Sequence, residues 1–158
     1  AVISFVSQNF GQRNYKRIVK SQLIGIACAT VVGLVLGLGL TIVGKPLLHI
    51  YAQSQSVIDA GEIRFYYVAA PYFLCGIMDL FPGALRGMGS STVPMILSVI
   101  GTVGTRILWI FGIFPSHRSL YILFISYPGS WIITIIMQVI CYYFVRKKTY
   151  GQAAVKTA

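Results

Sequence analysis

Two charged residues lie within long apolar stretches of this sequence, and their side chains are the ones most suited to chemistry there. Asp79 lies in the second such stretch and Arg106 in the third. If these stretches cross a membrane, each charge costs at least about 2.5–3.5 kcal/mol and needs a partner, a water-filled cavity or a function. Asp79 could bind a proton, a sodium ion or a cationic drug; the alternative is a structural hydrogen bond or a pair with Arg106. For Arg106 we expect a structural hydrogen bond to backbone carbonyls or to Asp79, with transport chemistry as the alternative.

Aromatic and amide side chains in the same stretches are candidates to line a cavity. An aromatic face attracts a cation, so these residues could hold a flat organic cation through cation–π contacts. Aromatic residues in membrane helices also serve as packing groups and interfacial anchors, and that alternative stays open for each of them. The candidates are Tyr72, Trp109, Tyr127, Trp131 and Gln138.

The cysteines and histidines show no pattern that would hold a metal ion or form a disulfide framework. Cys28, Cys75 and Cys141 lie far apart without a CxxC pair, and His49 and His117 are isolated in connecting segments. We therefore expect packing residues and interfacial polar groups at these positions, and neither a metal nor a cofactor. With three carboxylates in the chain, a membrane enzyme would also lack the acids that it needs.

The composition excludes a water-soluble chain. Of the 158 residues, 56% are hydrophobic and 10% are charged, whereas a soluble domain carries about 25% charged residues. So few charges cannot cover a water-facing surface, and so many apolar residues are incompatible with disorder. The sequence therefore predicts an all-α integral membrane protein.

Four apolar stretches are long enough to cross a bilayer as helices, which takes about 20 residues each. Ser56 and Asp59 resemble a capping box, which predicts that the second helix begins near Val57. Pro128 predicts a break or kink in the fourth helix, and residues 1–10 are interpreted as the last turns of an earlier, partial helix. The predicted helices are about 21–44, 57–85, 92–113 and 120–145.

The thirteen Lys and Arg residues are divided unequally between the two ends of these helices. Cytoplasmic loops carry the excess of cations, so both chain ends are predicted to be cytoplasmic, including a tail at 149–158. Membrane topology therefore explains most of the net charge of +10. The alternative explanation is a surface patch that binds anionic lipid or nucleic acid, but nucleic acid is not an expected partner. Arg106 lies within a helix. Nine cations lie on the predicted cytoplasmic side: Arg13, Lys16, Arg17, Lys20, Arg86, Arg146, Lys147, Lys148 and Lys156. Three lie on the other side: Lys45, Arg64 and Arg118.

Four local patterns follow one another along the chain, each within or next to a predicted helix. They are Gln8-Asn9-Phe10-Gly11 before basic residues, the turn RGxGxSxxP from Arg86 through Gly87 and Gly89 to Pro94, Thr105-Arg106-Ile107 with Phe114-Pro115 after it, and Tyr127-Pro128-x-x-Trp131. In this order and spacing they resemble the multidrug and toxic compound extrusion (MATE) transporters over residues 1 to about 148. The RGxGxSxxP turn is the most specific of the four.

The resemblance implies a fold and an activity. Family members have twelve helices in two six-helix lobes around a cavity that opens to one side of the membrane at a time, and they export organic cations and drugs, driven by proton or sodium ion entry. The chain resembles the end of helix 8 through helix 12, so residues 1–148 would form a partial C-terminal lobe. The implied partners are membrane lipid, small organic cations or drugs, and the N-terminal lobe with helices 7 and 8. The implied location is the plasma membrane, which in a bacterium is the inner membrane. We expect that the 158-residue chain alone does not transport.

The RGxGxSxxP turn also has an explanation as architecture. Gly87 and Gly89 allow the backbone angles that close a helix hairpin tightly. Arg86 lies at the C-terminal end of its helix, where the carbonyl dipole favours a cation. Either serine of the turn could cap the following helix, and Pro94 lies in the first turn of that helix, where a missing N–H costs little. A gating or substrate role for Arg86 is the alternative.

Two further functions stay open. A lipid-linked sugar flippase of the same superfamily would have similar helices and a more cationic cavity, to which Arg106 would contribute. A small non-transporting membrane subunit would associate through the glycine face of the first long helix. That face consists of Gly33, Gly37 and Gly39, and such faces let helices approach closely.

Overall fold

Residues 2–51, 53–115 and 118–155 are described in the computed structural model, and within these ranges the chain forms helices and turns and no strands. Ser116, His117 and Lys156 lie outside the described residues. The last four helices are long and apolar enough to cross a membrane, which confirms the predicted all-α membrane fold. The helices are α1 (Val2–Gly11), α2 (Tyr15–Tyr51), α3 (Gln55–Gly87), α4 (Thr92–Gly112) and α5 (Leu120–Val155).

Helices α2 and α5 extend past their predicted limits of 21–44 and 120–145. They contain 37 and 36 residues, which at about 1.5 Å per residue exceeds the roughly 30 Å hydrocarbon core of a bilayer. Some turns of both helices must therefore stand in the headgroup region. The charged turns suit that place best, and in α2 these are the first turns, residues 15–20.

The C-terminal end of α1, the N-terminal end of α2 and the C-terminal end of α3 pack together at one end of the bundle. Their contact is a buried cluster of Val6, Ile18, Ala84, Leu85 and Met88. Tyr142 and Val145 of α5 also pack against this cluster. We call this the basic end, because eight cations of the described residues lie near it: Arg13, Lys16, Arg17, Lys20, Arg86, Arg146, Lys147 and Lys148.

The opposite end of the bundle carries carboxylates and tyrosines. Lys45 Nζ and a carboxylate oxygen of Glu62 form an ion pair of 3.1 Å, which ties α2 to α3. The rings of Tyr67 in α3 and Tyr121 in α5 meet edge to face, with centroids 5.8 Å apart. These contacts hold α2, α3 and α5 together at the end away from the basic turns.

The predicted capping box at the start of α3 is wrong. The helix begins at Gln55, and Ser54 is the N-cap residue without a side-chain capping hydrogen bond. The hydroxyls of Ser54 and Ser56 lie 2.9 Å apart, and Asp59 accepts a 2.9 Å hydrogen bond from the Gln55 side-chain amide. The two predicted capping groups, Ser56 and Asp59, therefore hydrogen-bond to neighbouring side chains and not to backbone N–H groups.

Gly89 closes the turn between α3 and α4 in a left-handed backbone conformation. Its φ is +85°, which a residue with a Cβ adopts only with strain. The Ser90 N–H donates to the Leu85 carbonyl at 2.9 Å and the Gly89 N–H to the Arg86 carbonyl at 3.0 Å. These two bonds form a Schellman motif, and Arg86 lies in the last turn of α3 as the sequence predicts.

Gly87 and the serines of this turn act differently from the prediction. Gly87 has no positive φ; a Cβ there would lie 2.8 Å from the Cβ of Val6, so its missing side chain lets α1 approach α3. Ser91 precedes α4 but makes no side-chain capping hydrogen bond. Pro94 lies in the first turn of α4, as predicted.

Helix α3 is interrupted where the sequence predicts a continuous helix over 57–85. Phe65–Ala69 forms a π-helical turn and Ala70–Tyr72 a 3₁₀ turn. Pro71 has φ −83° and ψ 16°, outside the α-helical range, and its nitrogen cannot donate to a preceding carbonyl. The interruption lies directly before the segment Phe73–Gly87, which carries Asp79.

The glycine face of α2 receives the interrupted part of α3. A Cβ on Gly33 would lie 2.6 Å from the Cα of Phe73, and a Cβ on Gly37 would meet the carbonyl oxygen of Ala69. Gly39 faces open space, with nothing within 4 Å of a Cβ there. Two of the three glycines therefore let another helix approach closely, as such a face predicts, and that helix is α3 of the same chain.

Of the two alternatives predicted at Pro128, a break or a kink, the break does not occur. The helix continues from Leu120 to Val155 through the proline, because one missing N–H removes one backbone bond while α4 and α3 pack along the helix. An interruption occurs instead in α4, as a π-helical turn at Ile100–Gly104. There Gly101 lies against α5, and a Cβ on it would approach the Cβ of Thr134 to 3.0 Å.

Candidate functional site

An exposed stripe runs along α3 on a face that the other described helices leave uncovered. Tyr72, Asp79 and Arg86 follow one another at intervals of seven residues, which places them on one side of a helix. All three are exposed, although most of the last two turns of α3 is buried. We call these three residues the α3 stripe; it presents an aromatic ring, a carboxylate and a guanidinium.

Asp79 has no hydrogen bond or ion pair to any residue that the structure describes. Its side chain is exposed in the chain, so the fold of these helices does not use it for packing. The predicted structural pair with Arg106 is therefore not formed. A carboxylate in this setting is available to an ion, to a substrate or to a helix outside the described residues.

Arg106 finds its partners in α5. Its Nε donates to the Ser130 hydroxyl at 3.3 Å, and its guanidinium carbon lies 4.1 Å from the centre of the Tyr127 ring. Arg106 thus makes a structural hydrogen bond, as expected, but its partner is a side chain of α5 and not a backbone carbonyl or Asp79, because α4 packs its Arg106 face against α5. Both described partners are neutral, so they leave the positive charge uncompensated.

Two aromatic contacts join Arg106 to the α3 stripe. The Trp131 ring meets the Tyr127 ring at 6.5 Å and the Tyr72 ring at 6.1 Å, both edge to face. Trp131 is 4% exposed and Tyr72 is 52% exposed, so the cluster extends from the interior to the uncovered face. Cys75 of α3, predicted to be a packing residue, is half-buried.

Two candidate residues lie in the contact between α4 and α5. Gln138 is fully buried, and its side-chain amide donates to the Ser98 hydroxyl at 2.8 Å. The Trp109 indole N–H donates to the Ile122 carbonyl at 3.0 Å. These bonds join the two helices near both ends, and such bonds and small residues are what hold membrane helices together.

Gln138 was the one predicted member of a buried polar row on α5, and the sequence interpretation missed the other three. Its members recur every four residues in a helix that is otherwise apolar, and this spacing is the signal that could have revealed them. Ser130 contacts Arg106, Thr134 contacts Gly101, and the side-chain oxygen of Gln138 is buried without a hydrogen-bond partner. The row consists of Ser126, Ser130, Thr134 and Gln138, all at most 2% exposed.

Chemically, this arrangement suits charged molecules. It offers one carboxylate on the α3 stripe, one guanidinium with neutral neighbours, and aromatic rings between them. Among residues 2–51, 53–115 and 118–155, no group of three His, Cys, Asp or Glu side chains could hold a metal ion. The charged and aromatic side chains that are present are suited to binding a charged molecule.

The sequence pattern of the MatE family matches residues 1–111. This chain belongs to the MatE family. Members of that family are membrane transporters, which agrees with the four long apolar helices. Neither a curated protein nor a solved structure matches the chain significantly.

The match to the MatE family includes some candidate residues and excludes others. It spans α1, α2, α3 and nearly all of α4, and so contains the α3 stripe and Arg106. Tyr127, Trp131 and Gln138 lie in α5, beyond the matched residues. The contact of Arg106 with Tyr127 therefore joins a residue inside the family match to one outside it.

Proposed function

We propose that the chain is part of a cation-coupled antiporter that exports drugs or organic cations by alternating access. Proton or sodium ion entry would drive the export. Membership of the MatE family and the four apolar helices support the transporter class. The finer assignment depends on one observation, which is that Asp79 is exposed and has no hydrogen-bond or ion-pair partner among the described residues.

Asp79 supports this proposal because its charge is costly where it lies and contributes nothing visible to the fold. A carboxylate within a membrane helix is rare and tends to face a cavity or pathway for ions or substrate. At Asp79, a proton or sodium ion would compete with a cationic substrate for the same negative charge. Such competition couples the entry of one cation to the exit of another.

The exposed α3 stripe also supports further helices as partners. Left uncovered, Asp79 would face lipid at a cost of several kcal/mol. We propose that the remaining helices of the C-terminal lobe and the N-terminal lobe enclose a cavity on this face. Tyr72 and Trp131 would lie on its wall, and the interrupted segment 65–72 of α3 would allow the helix to change shape between the two open states.

A lipid-linked sugar flippase is the second candidate, and Arg106 favours it. A guanidinium with two neutral partners, Ser130 and Tyr127, would suit an anionic phosphate group. In this function Arg106 would bind the substrate, whereas in an organic-cation exporter it would repel the substrate. The small-subunit alternative loses support, because Gly33 and Gly37 already pack against α3.

Transport by proteoliposomes separates the two candidates. The full-length transporter is expected to move a fluorescent organic cation against an imposed proton or sodium gradient, and the 158-residue chain alone is expected to show no uptake above empty liposomes. A lipid-linked sugar analogue is the matched second substrate. Movement of that analogue without movement of the cation would replace the antiporter by the flippase.

We propose that the basic end is cytoplasmic and that the membrane is the plasma membrane of a bacterium. The positive charges at that end support this orientation. A cysteine placed at Ser90 is then expected to react with an impermeant thiol reagent from inside the cell, and one at Ser54 from outside. Cys28, Cys75 and Cys141 are first replaced by alanine, and the inverse labelling pattern would reverse the topology.

A further inference from the structure

A cavity of about 800 Å³ opens at the basic end, between the α1–α2 turn and the end of α5. Arg13 and Lys16 line it from the turn, and Arg146 lines it from α5. Asn14 and Val19 complete much of the wall. Three cations from two separate parts of the chain thus converge on one space.

The backbone at Arg13 gives a reason to look for a ligand there. Arg13 has φ +56°, and the Asn14 N–H donates to the Asn9 carbonyl at 2.8 Å while the Arg13 N–H donates to the Phe10 carbonyl at 3.0 Å. This is the same Schellman motif that Gly89 closes in the other turn of the basic end. A glycine is favoured at this position, so the turn does not require an arginine.

Among the described residues, no Asp or Glu side chain lies beside this cavity to balance its charge. The sequence contains three acidic residues, Asp59, Glu62 and Asp79. The first two lie near the opposite end, and Asp79 lies within α3. In the described part of the chain, the side chains of Arg13 and Lys16 have no hydrogen-bond or ion-pair partner.

The start of α2 adds a positive potential at the same place. The helix begins at Tyr15 and contains 37 residues, and the first N–H groups of a helix have no carbonyl acceptor within it. Its dipole therefore favours an anion next to Arg13 and Lys16. The cavity is suited to a phosphate group, whose oxygens accept hydrogen bonds from both guanidinium and ammonium groups.

The position of the cavity indicates which kind of molecule carries the phosphate group. The charged first turns of α2 suit headgroup depth best, and Val19 lines the cavity one turn further toward the apolar part of the helix. Basic pockets between membrane helices on the cytoplasmic side bind anionic headgroups. We propose that this cavity binds the headgroup phosphate of an anionic phospholipid, with Arg13 and Lys16 as its principal contacts.

The test measures lipid binding to the purified chain in neutral detergent. Dioctanoyl phosphatidylglycerol is the anionic probe, and dioctanoyl phosphatidylcholine and glycerol 3-phosphate are the comparison ligands. Each cation near an anionic lipid contributes about fivefold in affinity. We therefore expect Arg13→Gln with Lys16→Gln to weaken phosphatidylglycerol binding roughly thirtyfold. Lys147→Gln with Lys148→Gln removes the same charge from two exposed side chains and is expected to change binding less than about twofold.

Arg13→Gly separates a ligand role from a structural one. Glycine suits the left-handed turn, so the melting temperature without lipid is expected to stay the same or rise. Phosphatidylglycerol binding is nevertheless expected to fall about fivefold. The proposal fails if both double variants lose equal affinity, if phosphatidylcholine binds as well as phosphatidylglycerol, or if glycerol 3-phosphate alone occupies the site equally well. It also fails if Arg13→Gly binds the lipid normally.

Discussion

Asp79→Asn is expected to abolish drug resistance in the full-length transporter without lowering its amount in the membrane. The carboxylate is exposed and has no partner among the described residues, so an amide of the same shape disturbs no packing. The negative charge that attracts a proton, a sodium ion or a cationic substrate is lost. Minimal inhibitory concentrations in a strain without other efflux pumps should fall to those of the empty vector.

Asp59→Asn is the matched control for this experiment. Asp59 is also exposed and on α3, but it lies at the first turns and accepts a hydrogen bond from Gln55. Its amide variant should keep near-normal resistance and the same membrane level. Resistance of the Asp79→Asn transporter at the level of the unchanged protein would remove Asp79 from the coupling role.

Gly37→Ala is expected to destabilise the chain by about 1–3 kcal/mol, the usual cost of overpacking a close contact. The added Cβ would meet the carbonyl oxygen of Ala69, and the Ala70 carbonyl oxygen lies 3.2 Å from the same point. Backbone atoms cannot rotate away as a flexible side chain can. Helix α2 must therefore shift from the interrupted part of α3, and unfolding in detergent should show a lower midpoint.

Gly39→Ala, two residues further along α2, is not expected to destabilise the chain as Gly37→Ala does. Nothing lies within 4 Å of a Cβ at Gly39, and alanine is a better helix former than glycine by up to about 1 kcal/mol. This variant should be as stable as the unchanged chain or more so. Equal destabilisation by the two variants would mean that α2 and α3 do not approach at Gly37.

The location of the helices was accessible from the sequence because it depends on composition. In a membrane, apolar runs of about 20 residues have few alternatives to forming a helix. The cations that flank these runs mark one end of the bundle. The left-handed turn at Gly89 was also predictable, since a glycine is the residue that such a turn favours. Both inferences use local chemistry alone.

The irregular places in the helices were not predictable in the same way. Pro71 accompanies an interruption and Pro128 does not, although each removes one backbone donor. The difference depends on neighbours: the carbonyls at Ala69 and Ala70 face Gly37 of α2, whereas α5 is supported along its length by α4 and α3. The sequence shows where a proline lies but not which helix packs against it.

For the candidate site, the sequence by itself determined which charges lie inside the membrane, because Asp79 and Arg106 interrupt runs that contain no others. Tertiary structure alone decided their partners. Arg106 contacts Ser130 and Tyr127 in α5, while Asp79 lies on the uncovered face of α3. The physical reason is that hydrophobicity sets the depth of a residue in the bilayer, whereas rotation of a helix about its axis depends on the surfaces that pack against it.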